Sequence, residues 1–177
     1  MAILKIARMG HPVLAHPADP VEDPTAPEIR AIVEDMVETM IDAPGTGLAA
    51  PQVHIPLRIV VFFVRKERCT DIPGDEPVDL TVLINPELTP LGGEMDKGFE
   101  GCLSVPGMTG NVPRYRRLRY AGYDLDGNRF EREAAGFHAR VVQHECDHLD
   151  GILYPQRMDD LGELGFVEEM RKRQIQG

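Results

Sequence analysis

Two histidines four residues apart carry the strongest chemical signal in the sequence, in the run His144-Glu145-Cys146-Asp147-His148. Residues at this spacing lie on one face of a helix, so both imidazoles can bind the same metal ion. A carboxylate beside them, here Glu145, can take a proton from water at such a site. The pattern predicts a metal-binding site on this helix. The alternative is an amphipathic helix whose histidines face solvent or pack against neighbours.

A catalytic site of this kind needs a third protein ligand. Glu163 and Glu168 follow the two histidines, but nothing in their spacing distinguishes them. Cys102, in the sequence EGCLS at 100–104, is a stronger candidate because the glycine before it permits close approach of the backbone. The alternative for this cysteine is a small buried apolar residue. Cys146 points away from the histidine face and is predicted to be inert.

A glycine-rich segment, GTGLAAPQ at 45–52, superficially matches the dinucleotide-binding pattern G-x-G-x-x-A. That pattern must follow a strand and open a helix. Here it follows a strongly periodic helical segment, and Pro51 interrupts any new helix. We therefore reject a nucleotide site and predict a loop that presents Gln52 to a nearby site. The alternative is an ordinary turn that ends the helix.

The composition predicts one domain, spanning residues 1–177, with 42% hydrophobic and 27% charged residues. A net charge of −10 argues against DNA or another nucleic acid as a partner, since phosphate binding needs clustered Lys and Arg. Three cysteines are too few for a disulfide framework, and no apolar run is long enough for a signal peptide or a membrane span. We expect a soluble, cytoplasmic protein with no membrane partner.

The elements that must position these residues follow from the hydrophobic periodicity. Strands that cluster apart from a few helices favour an α+β fold, with antiparallel sheets packed around a central H-E-x-x-H helix and further helices near both termini. The predicted elements are a helix from about Thr25 to Pro44, strands at 58–64 and 80–84, a polar loop at 65–79, a hairpin within 114–134 around Asp126-Gly127, a helix at 137–149 and an amphipathic helix at 159–175.

The three segments GTGLAAPQ, EGCLS and HECDH resemble, in this order, the peptide deformylase motifs GxGLAAxQ, EGCxS and HExxH, and match them at every position. The segments ILKIARMGHPVL and LINPEL are also similar to that family, so the resemblance covers about residues 3–155. It implies a deformylase-like α+β fold and hydrolysis of the N-formyl group from the starting methionine of newly made proteins.

The resemblance also implies a role for each matching residue. The metal ligands would be Cys102, His144 and His148; the general base and later acid would be Glu145; and the donors to the reacting oxygen would be the Gln52 side chain and the Leu103 backbone N–H. The substrate would be bound by Gly47, Gly98, Phe137 and Val141. The metal would be one divalent ion per chain, Fe(II) in the first place, with zinc, nickel or cobalt able to replace it.

One departure concerns peptide docking. Many members carry an arginine seven residues after the ligand cysteine, whereas this chain has Thr109. Without this arginine we expect a high KM for short formyl-Met peptides, unless Arg114, Arg116 or the backbone at 107–108 contacts the peptide instead. In some relatives a basic C-terminal helix contacts the ribosome; the residues of the tail 156–177 that could do so are Arg171, Lys172 and Arg173.

Two rival functions compete with this interpretation. A general metallopeptidase would share the helix motif, but it leaves Cys102 and Gln52 without roles. A catalytically inactive binding module would keep the fold alone, but the complete set of ligands, with Glu145 and Gln52, argues against it.

Overall fold

The computed structural model describes residues 2–176, in which eight strands form two antiparallel sheets beside three α-helices. The helices are α1 (Pro27–Asp42), α2 (Gly136–Leu149) and α3 (Val167–Gln176). The strands are β1 (Gly47–Ala49), β2 (Ile59–Val64), β3 (Val78–Pro90), β4 (Met95–Cys102), β5 (Val105–Tyr115), β6 (Arg117–Tyr123), β7 (Arg129–Ala135) and β8 (Gly165–Phe166). The sheets have the orders β1-β2-β3-β6-β7 and β4-β5-β8. This architecture confirms the α+β class.

Strand β2 is the apolar run that the sequence predicts, and it forms because both of its faces are buried. Val60 and Phe62 pack in a cluster with apolar residues of α2, whereas Ile59 and Val61 pack in a second cluster with residues of α1. Successive side chains of a strand point to opposite faces, so the five-stranded sheet lies between the two helices. Each fully buried aliphatic side chain contributes about 1.5–3 kcal/mol to this packing.

Helix α1 begins at a proline in its first turn and buries one stripe of side chains against the sheet. The fully buried members are Met36 and Met40, both at 0% exposure. Ile41, next to Met40 in the sequence, lies outside this stripe and is 63% exposed. The helix ends before Pro44, as the sequence predicts.

The hairpin of β6 and β7 is confirmed. Its turn is closed by the Asp124 carboxylate, which accepts hydrogen bonds from the backbone N–H groups of Asp126 and Asn128. Gly127 has a φ of +78°, a left-handed conformation that glycine adopts without strain. Strands β4 and β5 were not predicted from the sequence, because their glycines and prolines hide the alternation of side chains.

The C-terminal segment is less helical than the sequence predicts. A helix over 159–175 is wrong in its first half, since α3 begins only at Val167. The Asp160 carboxylate instead accepts a hydrogen bond from Gly162 N–H, and Gly165 pairs with Thr109 of β5. The tail from 156 is therefore helical mainly in α3, and residue 177 lies outside the described range. Within residues 2–176, no helix has both the length and the apolar character to cross a membrane.

Candidate active site

Helix α2 places His144 and His148 on one face, with their ring centroids 5.0 Å apart. The opposite face of the helix, which includes Val142, Cys146 and Leu149, packs in the core cluster against the five-stranded sheet. The apolar face thereby fixes the rotation of the helix and turns both imidazoles away from that cluster.

Cys102 reaches the histidines from the end of β4. The pairing of β4 with β5 shifts register between Glu100 and Cys102, an irregularity that redirects the last side chain of a strand. The Cys102 Sγ lies 3.3 Å from His148 Nε2, and one ligand atom from each of Cys102, His144 and His148 lies within 4.8 Å of the others. Glu163 is held elsewhere, since it accepts a hydrogen bond from Asn111.

This donor set fits a transition metal. One sulfur and two imidazole nitrogens suit Fe(II) or Zn(II) better than Mg(II) or Ca(II), which prefer oxygen. The other thiol on the helix, Cys146, is buried in the core cluster, and burial raises its pKa, so it stays protonated. The Cys102 thiol therefore lies together with the two imidazoles, whereas the Cys146 thiol lies in the core cluster, away from them.

Glu145 extends into the cavity beside the ligand group, and its Oε2 atom is buried without a hydrogen-bond partner among the described residues. Burial raises the pKa of Glu145 to about 7, against the opposing effect of His144. The carboxylate has room because residue 47 is glycine: a Cβ at Gly47 would lie 2.6 Å from Glu145 Cδ. Gly47 thus sets the position of the Glu145 carboxylate.

Gln52 lies in a short 3-10 turn after β1 and is 1% exposed. Its Oε1 accepts a hydrogen bond from Ala49 N–H at 2.9 Å, which fixes the orientation of the amide. The Nε2 group then donates to Ser104 Oγ at 3.1 Å and lies 3.5 Å from Cys102 Sγ. The glycine-rich loop therefore presents an oriented amide donor to the ligand group.

The ligand group opens into a cavity of about 480 Å³. The sequence-predicted residues that line it are Gly47, Gln52, Cys102, Leu103, Phe137, Val141, His144 and Glu145. Gly98 is not among the lining residues, and a Cβ there would lie 2.9 Å from the Arg140 Cζ. Arg140 itself lines the cavity, and the sequence analysis missed it. Its position four residues before His144, on the same helix face, is the signal that could have identified it.

Glu100 connects His144 to the buried ion pair of Arg114 and Asp147. Its carboxylate accepts hydrogen bonds from Arg114 Nε at 2.9 Å and Nη2 at 3.0 Å, and lies 2.8 Å from His144 Nδ1. Burial opposes the charged form of Glu100, but the hydrogen bonds from His144 and Arg114 hold its pKa well below the usual range. Because an ionised carboxylate only accepts, His144 Nδ1 is the donor, which leaves Nε2 free for the metal.

Of the peptide-docking alternatives from the sequence, the backbone at 107–108 lines the cavity and stays open as a contact, whereas the two arginines lie elsewhere. The Thr109 hydroxyl donates to the Glu100 carbonyl at 2.9 Å and does not line the cavity. Arg114 is buried between Glu100 and Asp147. Arg116 makes ion pairs with two surface carboxylates, Glu94 and Asp96. Neither arginine lines the cavity, and the predicted high KM for short peptides stays a prediction.

A cysteine and two imidazoles whose ligand atoms converge, beside a cavity lined by a carboxylate and an oriented amide, define a site of the metal-dependent hydrolase class. The family model described as "Polypeptide deformylase" matches residues 3–163. The chain therefore belongs to the polypeptide deformylase family, a family of metal-dependent hydrolases whose function is to remove the formyl group from N-formyl-methionyl peptides.

Individual relatives agree over nearly the whole chain. It is 57% identical to peptide deformylase 2 of Bordetella bronchiseptica over 164 residues, covering 92% of each chain. It is 54% identical to peptide deformylase 2 of Ralstonia nicotianae, covering 94% of this chain and 93% of the relative. The crystal structure of the Ehrlichia chaffeensis peptide deformylase matches with a TM-score of 0.84 and 33% identity, covering 99% of this chain and 98% of that one.

Proposed function

We propose that the protein removes the formyl group with Cys102, His144 and His148 as metal ligands, Glu145 as the proton carrier, and Gln52 and Leu103 as donors to the reacting oxygen. The observation that carries this assignment is the convergence of the three ligand atoms within 4.8 Å of one another, beside the cavity that Glu145 and Gln52 line. A general metallopeptidase would need neither the cysteine nor the amide donor there.

The metal that we propose is Fe(II), with zinc, nickel or cobalt as substitutes, and the sulfur–imidazole donor set supports this choice. When bound, a divalent ion supplies Lewis acidity, which polarises the formyl carbonyl and makes water more acidic. The donation from His144 Nδ1 to Glu100 fixes the ring orientation that metal binding requires.

Proton transfer and stabilisation of the reacting oxygen fall to different groups of the site. Glu145 accepts the proton of the attacking water on its carboxylate and returns it to the departing amine. The Gln52 Nε2 group and the Leu103 N–H donate hydrogen bonds to the oxygen on which negative charge develops. The amide of Gln52 needs no reorientation, since Ala49 N–H already holds its Oε1.

The substrate that we propose enters with its methionine side chain against Phe137 and Val141, which line the cavity. Gly47 and Gly98 act indirectly, by leaving space for Glu145 and Arg140. A crystal structure of the Acinetobacter baumannii peptide deformylase, 35% identical with a TM-score of 0.80, is described as bound to Met-Ala-Ser, a peptide of the kind that deformylation releases. That relative supports a formylated peptide as the substrate.

We further propose that the chain is one domain in which α2 holds the ligand group between the two sheets, because residues of α2 pack against the larger sheet while Cys102 comes from the smaller one. Formylated nascent chains are made in the cytoplasm, which we propose as the location. Contact of Arg171, Lys172 and Arg173 with the ribosome stays a prediction.

The proposed function is tested by formate release from formyl-Met-Ala by protein purified without oxygen. We expect one formate and one free amino terminus per peptide cleaved, and no reaction with acetyl-Met-Ala at a comparable rate. Absence of formate from metal-loaded protein would contradict the proposal.

The ligand assignment predicts different results for two cysteines. Cys102→Ala should lose stoichiometric metal, because the site keeps only two imidazoles, whereas Cys146→Ala should retain it, because that thiol lies in the core cluster. Elemental analysis of both purified variants measures this. Metal loss in Cys146→Ala with retention in Cys102→Ala would remove Cys102 from the site.

The choice of Fe(II) predicts sensitivity to oxygen. Activity should decline in air through oxidation of the iron or of the half-exposed Cys102 thiol, and nickel or cobalt should slow the decline. Activity and intact protein mass are followed over time for each metal. Full activity of the iron form after days in air would contradict this prediction.

A further inference from the structure

Arg68 is an exposed residue that lines the cavity, and its side chain lies over an aromatic ring. It belongs to the β2–β3 loop, residues 65–77, and its guanidinium carbon lies 4.4 Å from the centroid of the Phe137 ring. Both side chains line the cavity. An arginine over an aromatic face is held by electrostatic attraction, which leaves the N–H groups at the edge of the guanidinium available. Among the described residues, Arg68 makes no ion pair.

Hydrogen bonds join the β2–β3 loop to the start of α2, and they hold the loop that carries Arg68 beside the cavity. The Asp75 carboxylate accepts hydrogen bonds from the backbone N–H groups of Phe137 at 2.9 Å and His138 at 3.2 Å, and from the Thr70 hydroxyl. It thereby caps helix α2, whose own preceding residue offers no side-chain cap. A Cβ at Gly136 would lie 2.8 Å from Asp75 Cγ, so the glycine permits this contact.

Arg140 carries the second guanidinium group that lines the cavity, and its N–H groups already donate hydrogen bonds within the protein. Arg140 donates to the Glu100 carboxylate and to the main-chain carbonyls of Asp96, Gly98 and Val112. Its side chain is only 12% exposed. Arg68 is therefore the cation at this cavity, within the described part of the chain, whose hydrogen-bond donors remain free for a ligand.

The geometry of an extended peptide decides which substrate residue meets Arg68. Successive side chains of an extended chain point to opposite sides, so residues one and three share a side and lie about 6.4–6.8 Å apart. If the methionine side chain occupies the cavity beside Phe137, the side chain of residue three lies on that same side, towards the rim. Residue two points away.

We propose that Arg68 binds the carboxylate of an acidic side chain at the third position of the formyl-Met peptide. The protein would then favour nascent chains with aspartate or glutamate there. This inference rests on the proposed function, because it takes the formyl-Met peptide as the occupant of the cavity.

The test uses amidated peptides, formyl-Met-Ala-X-Ser-amide, in which X is Glu, Gln or Lys and the terminal carboxylate is absent. We expect the Glu peptide to have a KM about three- to five-fold below that of the Gln peptide, the range of an exposed ion pair, and the Lys peptide to have the highest KM. The kcat should change little, because the contact exists before and during the reaction. High salt should reduce the difference.

Arg68→Gln should abolish the preference for Glu, so that the Glu and Gln peptides have KM values within about two-fold of each other. Arg65→Gln is the matched control, because Arg65 lies on the same loop over another ring, Phe63, and does not line the cavity. It should keep the preference. Formyl-Met-Glu-Ala-Ser-amide should show no gain from its acidic residue at position two.

The outcomes separate the two proposals. Hydrolysis of all three peptides with KM values within about two-fold of one another, or a preference that survives Arg68→Gln, would overturn the role of Arg68 and leave the deformylase function in place. Absence of formate from every peptide would contradict the proposed function itself, and the inference with it.

Discussion

Glu145→Gln should lower kcat for formate release by about 10²–10⁴-fold, the usual contribution of a positioned general base, while the protein keeps its metal. Glutamine has the same shape as glutamate, so it fits the space that Gly47 leaves beside residue 145. The amide cannot accept the proton of water, so the loss falls on the chemical step. Steady-state kinetics together with elemental analysis measure both quantities.

A matched control for this variant is Glu133→Gln, which removes an exposed carboxylate of β7 that contacts Arg119. It should leave kcat unchanged. Turnover of Glu145→Gln within a few-fold of the unmodified protein, at full metal content, would contradict the assignment of Glu145 as the proton carrier.

Arg114→Met should lower the free energy of unfolding by about 3–5 kcal/mol, the cost of removing one partner from a buried ion pair. Arg114 is 4% exposed and donates to the carboxylates of Glu100 and Asp147, which the substitution leaves buried with less compensation. Urea unfolding in excess metal measures the change. Because Glu100 also orients His144, metal affinity should fall in the same variant.

Arg119→Met provides the comparison, since Arg119 contacts Glu131 and Glu133 at the surface, where its side chain is 43% exposed. Exposed pairs contribute at most about 1 kcal/mol. Equal unfolding free energies for the two variants would mean that the network around Glu100 adds nothing beyond a surface ion pair.

Local patterns predicted the parts of this fold that local physics determines. Strand β2 was predicted because a short β-branched and aromatic run rarely forms anything other than a buried strand. The β6–β7 hairpin was predicted because Asp126-Gly127 favours a tight turn between two strands. Local patterns also predicted helix α2 to within one residue of its observed start, but not its cap, since the Asp75 carboxylate lies 62 residues before the Phe137 N–H from which it accepts a hydrogen bond. No local pattern contains such a contact.

In the candidate site, too, the residues set by local spacing were predicted and those set by distant contacts were not. Motif spacing predicted the three residues whose ligand atoms converge, since His144 and His148 need only helical geometry and Cys102 stands in a matching motif. Arg140 lies four residues before His144 on the same helix face, but this spacing alone did not predict it, because its place at the cavity also requires the space that Gly98 leaves for its guanidinium group. In the sequence, Gly98 looked like a substrate contact, whereas in the structure it accommodates a guanidinium group.

The shared strand β2 also determines how the molecule resists opening. Its side chains belong to the clusters of both α1 and α2, so neither helix can detach without exposing one face of the same strand. The two halves of the core should therefore open together, in one cooperative unit. The backbone amides of Val60 to Phe62 should exchange their hydrogens only through global unfolding, and so report the full stability of the fold.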